Sequence, residues 1–439
     1  MFSGLKKLFG KSAQTTMPTA ADGPQEPPLT PAAFVRREAV FDRDNRLSGH
    51  LFRMQQGTAV ADADLEIQRD LDRQLFDTLN ASTEAWNRTA AFLPISSSSL
   101  DLPALEHLAG DNVVLLLQLA PDAEADMVCS AIELLRERGF RFGLFRQPRN
   151  PAYAKVIQKV DYAAIDVAGS EANSIRDFSA AVRAGARATP LHLLACNVET
   201  VDDQQLCLQW HFSNCHGKFA EQPATARNEP SGDPHKTQLL NLLRLVQGEA
   251  ETAEIAAAMK LDPMLSFRIL RYLNSPILAM TRQIDSLEQA LMILGRQRLT
   301  RWLAVLLFSV REPQLSDWLL VENALTRGRL MEILAEQQMP GQPHDPLFLT
   351  GIFSCLNRLL HRPLADILGT LPLADEICQA LLERSGPYAA LLAVAEAAEA
   401  VDQSGLGKAA QAAGVTAEAV NGALLAATAW ASEVTEYWE

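Results

Sequence analysis

The chain has 439 residues, 48% hydrophobic and 21% charged, with a formal net charge of −14. That balance suits a folded protein of two or three domains and excludes a fibrous or disordered chain. The acidic total and the lack of a basic block argue against a nucleic-acid footprint. No stretch approaches the ~20 uninterrupted apolar residues of a membrane-spanning helix, and nothing resembles a cleaved signal peptide. The six cysteines, Cys129, Cys196, Cys207, Cys215, Cys355 and Cys378, form no CxxC pair. They read as reduced thiols, which places the chain in the cytoplasm.

Residues 1–32 read as a leader. In MFSGLKKLFGK, Phe2, Leu5, Leu8 and Phe9 share a helical face beside Lys6, Lys7 and Lys11. That pattern permits weak contact of residues 1–11 with a membrane surface, but two turns bury little apolar area and a frayed end fits better. A Pro- and Thr-rich linker follows.

From Ala33 the period changes. Phe34 to Phe41, the turn Asp42-Arg43-Asp44-Asn45, and Leu47 to Met54 predict a β-hairpin. VVLLLQLA (113–120) is the continuous apolar run of a strand buried on both faces. A helical segment from about Glu124 to Arg138 ends at Gly139. FRFGLF (140–145), a helix over 151–160, YAAIDVA (162–168), a helix to about Ala184, LHLLACNV (191–198), the helix DDQQLCLQW (202–210) and a short run near Phe219 continue the alternation. Strand–helix repetition on this scale predicts a parallel sheet with helical crossovers, closed as a (β/α) barrel.

The polar segment 221–235 reads as a linker. Beyond it the period is helical throughout. Asp262-Pro263 is a helix start, followed by Leu265, Ile269 and Leu273 on one face. Leu299, Trp302, Leu303, Leu306, Leu307 and Val310 form a wide apolar stripe. The Ala-rich tail from 387 carries seven acidic residues against one Lys after residue 390, the composition of solvated helices.

The helical half resembles the HDOD domain of bacterial signalling proteins. LLRLVQGEAETAEIAAAMKLDPMLSFRILRYLNSPI (242–277) and IDSLEQALMILGRQRLTRWLAVLL (284–307) carry its Asp-Pro helix start (Asp262, Pro263), its R-x-x-N-S segment (Arg271, Asn274, Ser275) and its A-L-x-x-L-G helix ending at Leu294 and Gly295. The stretch 347–386 is similar to the family's C-terminal part. Such domains resemble HD-type phosphohydrolases in fold but lack their metal site. Here Ser354 and Cys355 follow Gly351 where a His-Asp pair would stand, and the literal pair His344-Asp345 lies between prolines in what reads as a loop.

Residues 33–220 resemble the EAL domain, a (β/α) barrel that hydrolyses cyclic di-GMP. The register runs through FVRREAVFDRDNRLSGHLFRM (34–54), VVLLLQLA, PAYAKVIQKVDYAAIDV (151–167) and HLLACNVETVDD (192–203). Hydrolysis in such a barrel needs carboxylates that hold hard divalent ions at the strand ends. Carried over residue by residue, the triplet's Glu falls on Leu51, or drops out if 51–53 aligns with the motif's end. The metal-binding Asn falls on Pro94 and the next Glu on Leu116. The Asp-Asp pair falls on Phe145 and Arg146, the Lys on Ala164, the first Glu of the following strand on Cys196 and the late Gln on His216. Arg53, Arg146, Asp166 and Glu199 remain as ligand-binding candidates, with Arg53 and Arg146 suited to phosphate.

The resemblance therefore implies a multidomain protein: an EAL-type TIM-like barrel with its site degenerate, then an all-α HDOD bundle over 236–386 and a tail over 387–439. It implies a cytoplasmic bacterial regulator in a cyclic di-GMP context that is no enzyme, needs no cofactor or metal, and meets protein partners through the HDOD bundle. The alternatives are a cyclic di-GMP or other nucleotide receptor without hydrolysis, and a residual phosphodiesterase. Cys196, Cys207, Cys215 and His216 match no zinc spacing and read as buried side chains. Ser96 to Ser99 lacks a nucleophile elbow and reads as a loop.

Overall fold

The computed structural model describes residues 32–56, 65–82, 86–185, 190–221, 234–248, 250–262, 265–266, 269, 286–309, 315–400 and 405–436. Leader residues 1–31, linker residues 222–233, and Pro263, Arg271, Leu273, Asn274, Ser275 and Val310 lie outside the described residues.

Eight strands close a barrel in sequence order. β1 (Ala33–Asp42) and β2 (Leu47–Gln56) form the expected hairpin, whose turn is fixed by the Asp42 carboxylate accepting from the N–H groups of Asp44 and Arg46 at 2.9 Å each. β3 (Ala90–Ser96), β4 (Val113–Gln118), β5 (Arg141–Phe145), β6 (Tyr162–Asp166), β7 (His192–Cys196) and β8 (Asn214–His216) run parallel to β2. β1 runs against both neighbours, so its N-terminal end stands at the rim where the other strands have their C-terminal ends. Val40, Leu51, Phe92, Val114, Leu116, Ala164 and Leu194 fill the interior.

The helices α1 (Leu65–Ala81), α2 (Ala125–Arg136), α3 (Ala172–Ala184) and α4 (Val201–Gln209) pack outside. The expected strand near Phe219 is instead β8, just upstream. Phe219 is fully buried from a 3-10 turn, so its apolar signal reflects packing and not a strand. Ser97–Ser99 is likewise a 3-10 turn, anchored where buried Asp72 accepts from the Ser96 N–H at 2.9 Å and the Ser99 hydroxyl at 2.6 Å. The apparent thiol cluster is split by strand alternation: Cys196 points into the barrel, and Cys207 and Cys215 belong to the outer layer.

The second half is helical: α5 (Pro234–Gln247), α6 (Thr252–Met259), α7 (Leu287–Leu307), α8 (Leu315–Gln338), α9 (Asp345–Phe353), α10 (Ala389–Glu399), α11 (Leu406–Ala413) and α12 (Ala417–Glu436) share one core. α7 breaks at Gly295, whose φ of 76° and ψ of 161° only glycine adopts without strain. The Asp262 carboxylate accepts from the Leu265 N–H at 3.0 Å, the hydrogen bond of an N-cap. Asp345 opens α9, with His344 in the cap position, so the pair is a helix start and not a loop.

The tail is not solvated. Val420, Ala423, Leu424, Ala427, Trp430, Ala431 and Val434 are buried and form one face of α12, which the acidic net charge conceals. β8 covers only Val40 to Asp42 of β1, leaving the N-terminal half of that edge without a ladder partner. The buried Asn421 amide supplies one, accepting from the Val35 N–H at 2.8 Å and donating to the Ala33 carbonyl at 3.1 Å. Asn421→Leu orphans both buried groups. We expect it to cost about 2 kcal/mol, read as a lower urea midpoint; an unchanged midpoint would show the contact to be idle.

Candidate functional site

Because β1 is reversed, its N-terminal half adds side chains to the mouth of the barrel. Interior positions alternate along it, so Val40, Glu38 and Arg36 climb towards the rim opposite Gly49, Leu51 and Arg53 of β2. Arg36 and Arg53 thus face each other directly across the ladder. Glu38 joins them, with Oε1 2.8 Å from the Arg36 guanidinium and Oε2 3.4 Å from that of Arg53. Burial opposes ionisation of Glu38, but the charge of His216 when protonated, and of Arg53 and Arg36, holds its carboxyl below the ordinary range.

His216 ends β8 opposite Val40 of β1 and is 2% exposed. Burial drives its imidazole down to about 4 against the pull of Glu38, with Arg53 and Arg36 pushing the same way as burial. At neutral pH it is uncharged, and neither ring nitrogen has a hydrogen-bond partner. Asp166, in register with Cys196 on β7, accepts from the Asn197 amide at 3.0 Å and the Gly169 N–H at 3.3 Å. The Cys196 thiol, buried against Asp166 and Glu38, is held well above its usual range, first by burial.

Of the four candidates, Arg53 and Asp166 therefore stand in the mouth. Arg146 lies one residue beyond β5, exposed at the rim, its N–H donating to the Ala164 carbonyl at 2.8 Å. Glu199 is displaced: it lines a cavity of about 230 Å³ with Ile175, Cys207 and Trp210, between α3 and α4. Arg36, Glu38 and His216 complete the mouth. The sequence signal for Arg36 and Glu38 is a pair of charges two residues apart, flanked at the same spacing by apolar Phe34 and Val40.

The positions onto which the resemblance carries the metal-binding residues hold few anionic oxygens. Leu51 and Leu116 are core side chains at 2% and 0% exposure, and Pro94, Phe145 and Arg146 offer no anionic oxygen. Among the described residues no three His, Cys, Asp or Glu side chains converge as a metal-binding group. No chemical step at this mouth is assigned to a metal.

In the helical half, fixed guanidinium groups hold the buried carboxylates. Arg327 donates to Ser354 Oγ at 2.7 Å and forks onto Glu399 at 2.9 and 2.6 Å, beside the position where the resemblance places a metal ligand. Burial opposes its charge, but Glu399 more than compensates and raises its pKa. Arg301 pairs with Glu332 and with Asp345 at 3.1 Å and lies 3.8 Å from the Phe348 ring centroid, while His344 is bonded to the Met339 carbonyl at 3.2 Å. On the outward face of the hairpin, Arg37 and His50 meet Glu322 of α8 at 2.5 and 2.7 Å, all three nearly buried.

Residues 236–366 match the HDOD domain family. The Vibrio cholerae protein CdgJ, named a cyclic di-GMP phosphodiesterase, is 25% identical over 313 residues, 70% of this chain and 71% of that protein. YuxH, an uncharacterized protein of Bacillus subtilis, is 30% identical over 204 residues. These are 46% of this chain and 50% of YuxH, so the chain spans about half of that relative's length. Among solved structures, the Bacillus subtilis YkuI protein, which has an EAL domain and is in complex with cyclic di-GMP and calcium, matches with a TM-score of 0.34 and 13% identity. That match covers 61% of this chain and 73% of YkuI.

The expectation of no enzyme is corrected by this comparison. A relative that aligns across both halves of the chain is named for phosphodiesterase activity, which points towards an enzyme. Glu38, which the motif carry-over did not include, reaches the mouth from the reversed strand. Among the described residues no helix is long and apolar enough to cross a membrane.

Proposed function

We propose that this chain is a bacterial cyclic di-GMP signalling protein of the EAL–HDOD arrangement. Its barrel, residues 33–220, takes the dinucleotide at the mouth, and its bundle, residues 236–386 with the tail packed on it, meets a protein partner. The observation that carries this reading is the alignment with the Vibrio phosphodiesterase across 70% of the chain, barrel and bundle together. The mouth adds support: two guanidinium groups and a neutral imidazole at the ends of barrel strands suit phosphate oxygens.

Calorimetric titration of the full chain with cyclic di-GMP in Mg²⁺ tests the reading, with product formation followed in parallel in Mg²⁺ and Mn²⁺. Micromolar binding is the expected result, and silence up to millimolar ligand overturns it. Turnover that Asp166→Ala abolishes would assign to this chain the activity for which its Vibrio relative is named. Partner capture by the full chain that survives deletion of the barrel would support the bundle as the contact surface, and its loss would move that surface to the barrel.

A further inference from the structure

We propose that Arg36 and Arg53 form a two-guanidinium seat for a phosphate-type anion, and that Glu38 is its built-in occupant, displaced when a phosphodiester enters. This rests on reading the mouth as the dinucleotide site and goes beyond it, because it assigns the site an internal competitor.

Like charges directly opposite each other across a ladder are destabilising unless an anion lies between them. Arg36 and Arg53 occupy such a pair of positions, and Glu38 is the carboxylate that joins them. Its fit is one-sided: Oε1 takes a hydrogen bond from Arg36 at 2.8 Å, while Oε2 stands 3.4 Å from Arg53 and accepts no hydrogen bond. Arg53 Nε, buried within the same seat, is also unpaired. The Glu38 carboxylate, on a short side chain tied to β1, thus leaves the Arg53 fork unfilled. A phosphate group, with its tetrahedral oxygens, can face both at once.

A second, independent observation lies beneath. His216 is 2% exposed, uncharged at neutral pH, and has both ring nitrogens unpaired. A buried polar ring without partners is costly, and an incoming oxygen accepting from one of its nitrogens removes that cost. The Arg53 side chain keeps 36% of its surface exposed, so the seat is reachable from the rim.

The test titrates full-length protein with cyclic di-GMP in Mg²⁺ and, separately, with inorganic pyrophosphate without divalent ions. Glu38→Gln removes the competing carboxylate charge from the seat and is expected to tighten both affinities about tenfold, and adding Arg53→Gln should cancel the gain. If Glu38→Gln tightens pyrophosphate alone and cyclic di-GMP is never captured, the seat stands and the dinucleotide reading falls. If a folded Glu38→Gln protein binds both ligands no better than wild type, the seat is overturned, while wild-type binding of cyclic di-GMP keeps the reading. Should Glu38→Gln fail to fold, Glu38→Asp, which withdraws the carboxylate by one methylene, is expected to bind more tightly, and unchanged affinity overturns the seat. Capture of neither ligand by any variant overturns both.

Discussion

Glu322→Leu is expected to cost about 3–5 kcal/mol of stability, because it strips a buried ion pair of its carboxylate. That carboxylate sits on α8 at 6% exposure and meets Arg37 of β1 at 2.5 Å and His50 of β2 at 2.7 Å. Removing it leaves a guanidinium with 9% of its side chain exposed, facing an apolar surface. Arg37→Met added to Glu322→Leu should recover much of the loss, because replacing all the buried charge avoids the uncompensated ion. Acid titration gives a second readout. Burial alone would raise the Glu322 pKa, but Arg37 and His50 overcome it and hold the value at about 2 against an ordinary 4.5. A depressed carboxyl stabilises the fold fully above the unfolded value and loses that contribution as pH falls, here between 4.5 and about 2. Its size is about 3 kcal/mol. Urea midpoints measured across that window should fall more steeply for wild type than for Glu322→Gln. Parallel slopes would show that the carboxylate is not held by its neighbours.

The hairpin and β4 were legible because alternation, turn residues and a continuous apolar run each encode their own surroundings. α12 was not, since its acidic total suggested solvent while its apolar face, Val420 to Val434, met a partner supplied by distant chain. In the mouth, Arg53 and Asp166 were reached through the motif carry-over, Asp166 at the end of β6 and Arg53 within β2. The displacement of Glu199 was not legible: β7 ends at Cys196, and Asn197, with φ of 55°, turns the chain so that Glu199 leaves the interior. Arg36 and Glu38 matter only because β1 runs against the other strands. The hairpin turn sets that orientation, but the closure with β8 that puts the strand in the barrel wall is a contact across some 175 residues of sequence that no local period records. The bundle signature fares similarly: Gly295 is legible as a motif letter, and its backbone angles explain why the letter is glycine.

Gly351→Ala is expected to destabilise the bundle by about 3 kcal/mol, through backbone contact that no rotamer change relieves. Helices α8 and α9 cross with Gly351 against Gly328: a Cβ on Gly351 would lie 2.6 Å from the Gly328 Cα and 2.7 Å from its nitrogen. Since both atoms are backbone, the helices must separate, and interaxial distance is set by the side chains at the crossing. A Cβ on Gly328 would meet the Phe348 carbonyl and the Ile352 side chain, each at 2.9 Å. Gly328→Ala is therefore also destabilising, and the double variant should cost less than the sum, because one separation accommodates both methyl groups. The consequence reaches charged groups. Arg327 adjoins Gly328, and its bond to Ser354 at 2.7 Å spans this crossing while its fork holds Glu399. Separation should weaken that bridge, so Arg327→Met ought to cost less in the Gly351→Ala background than in wild type. Thermal melts of the four-member cycle measure the coupling. Additive losses, or a Gly351→Ala protein melting with wild type, would mean that the crossing yields without disturbing the ion pair.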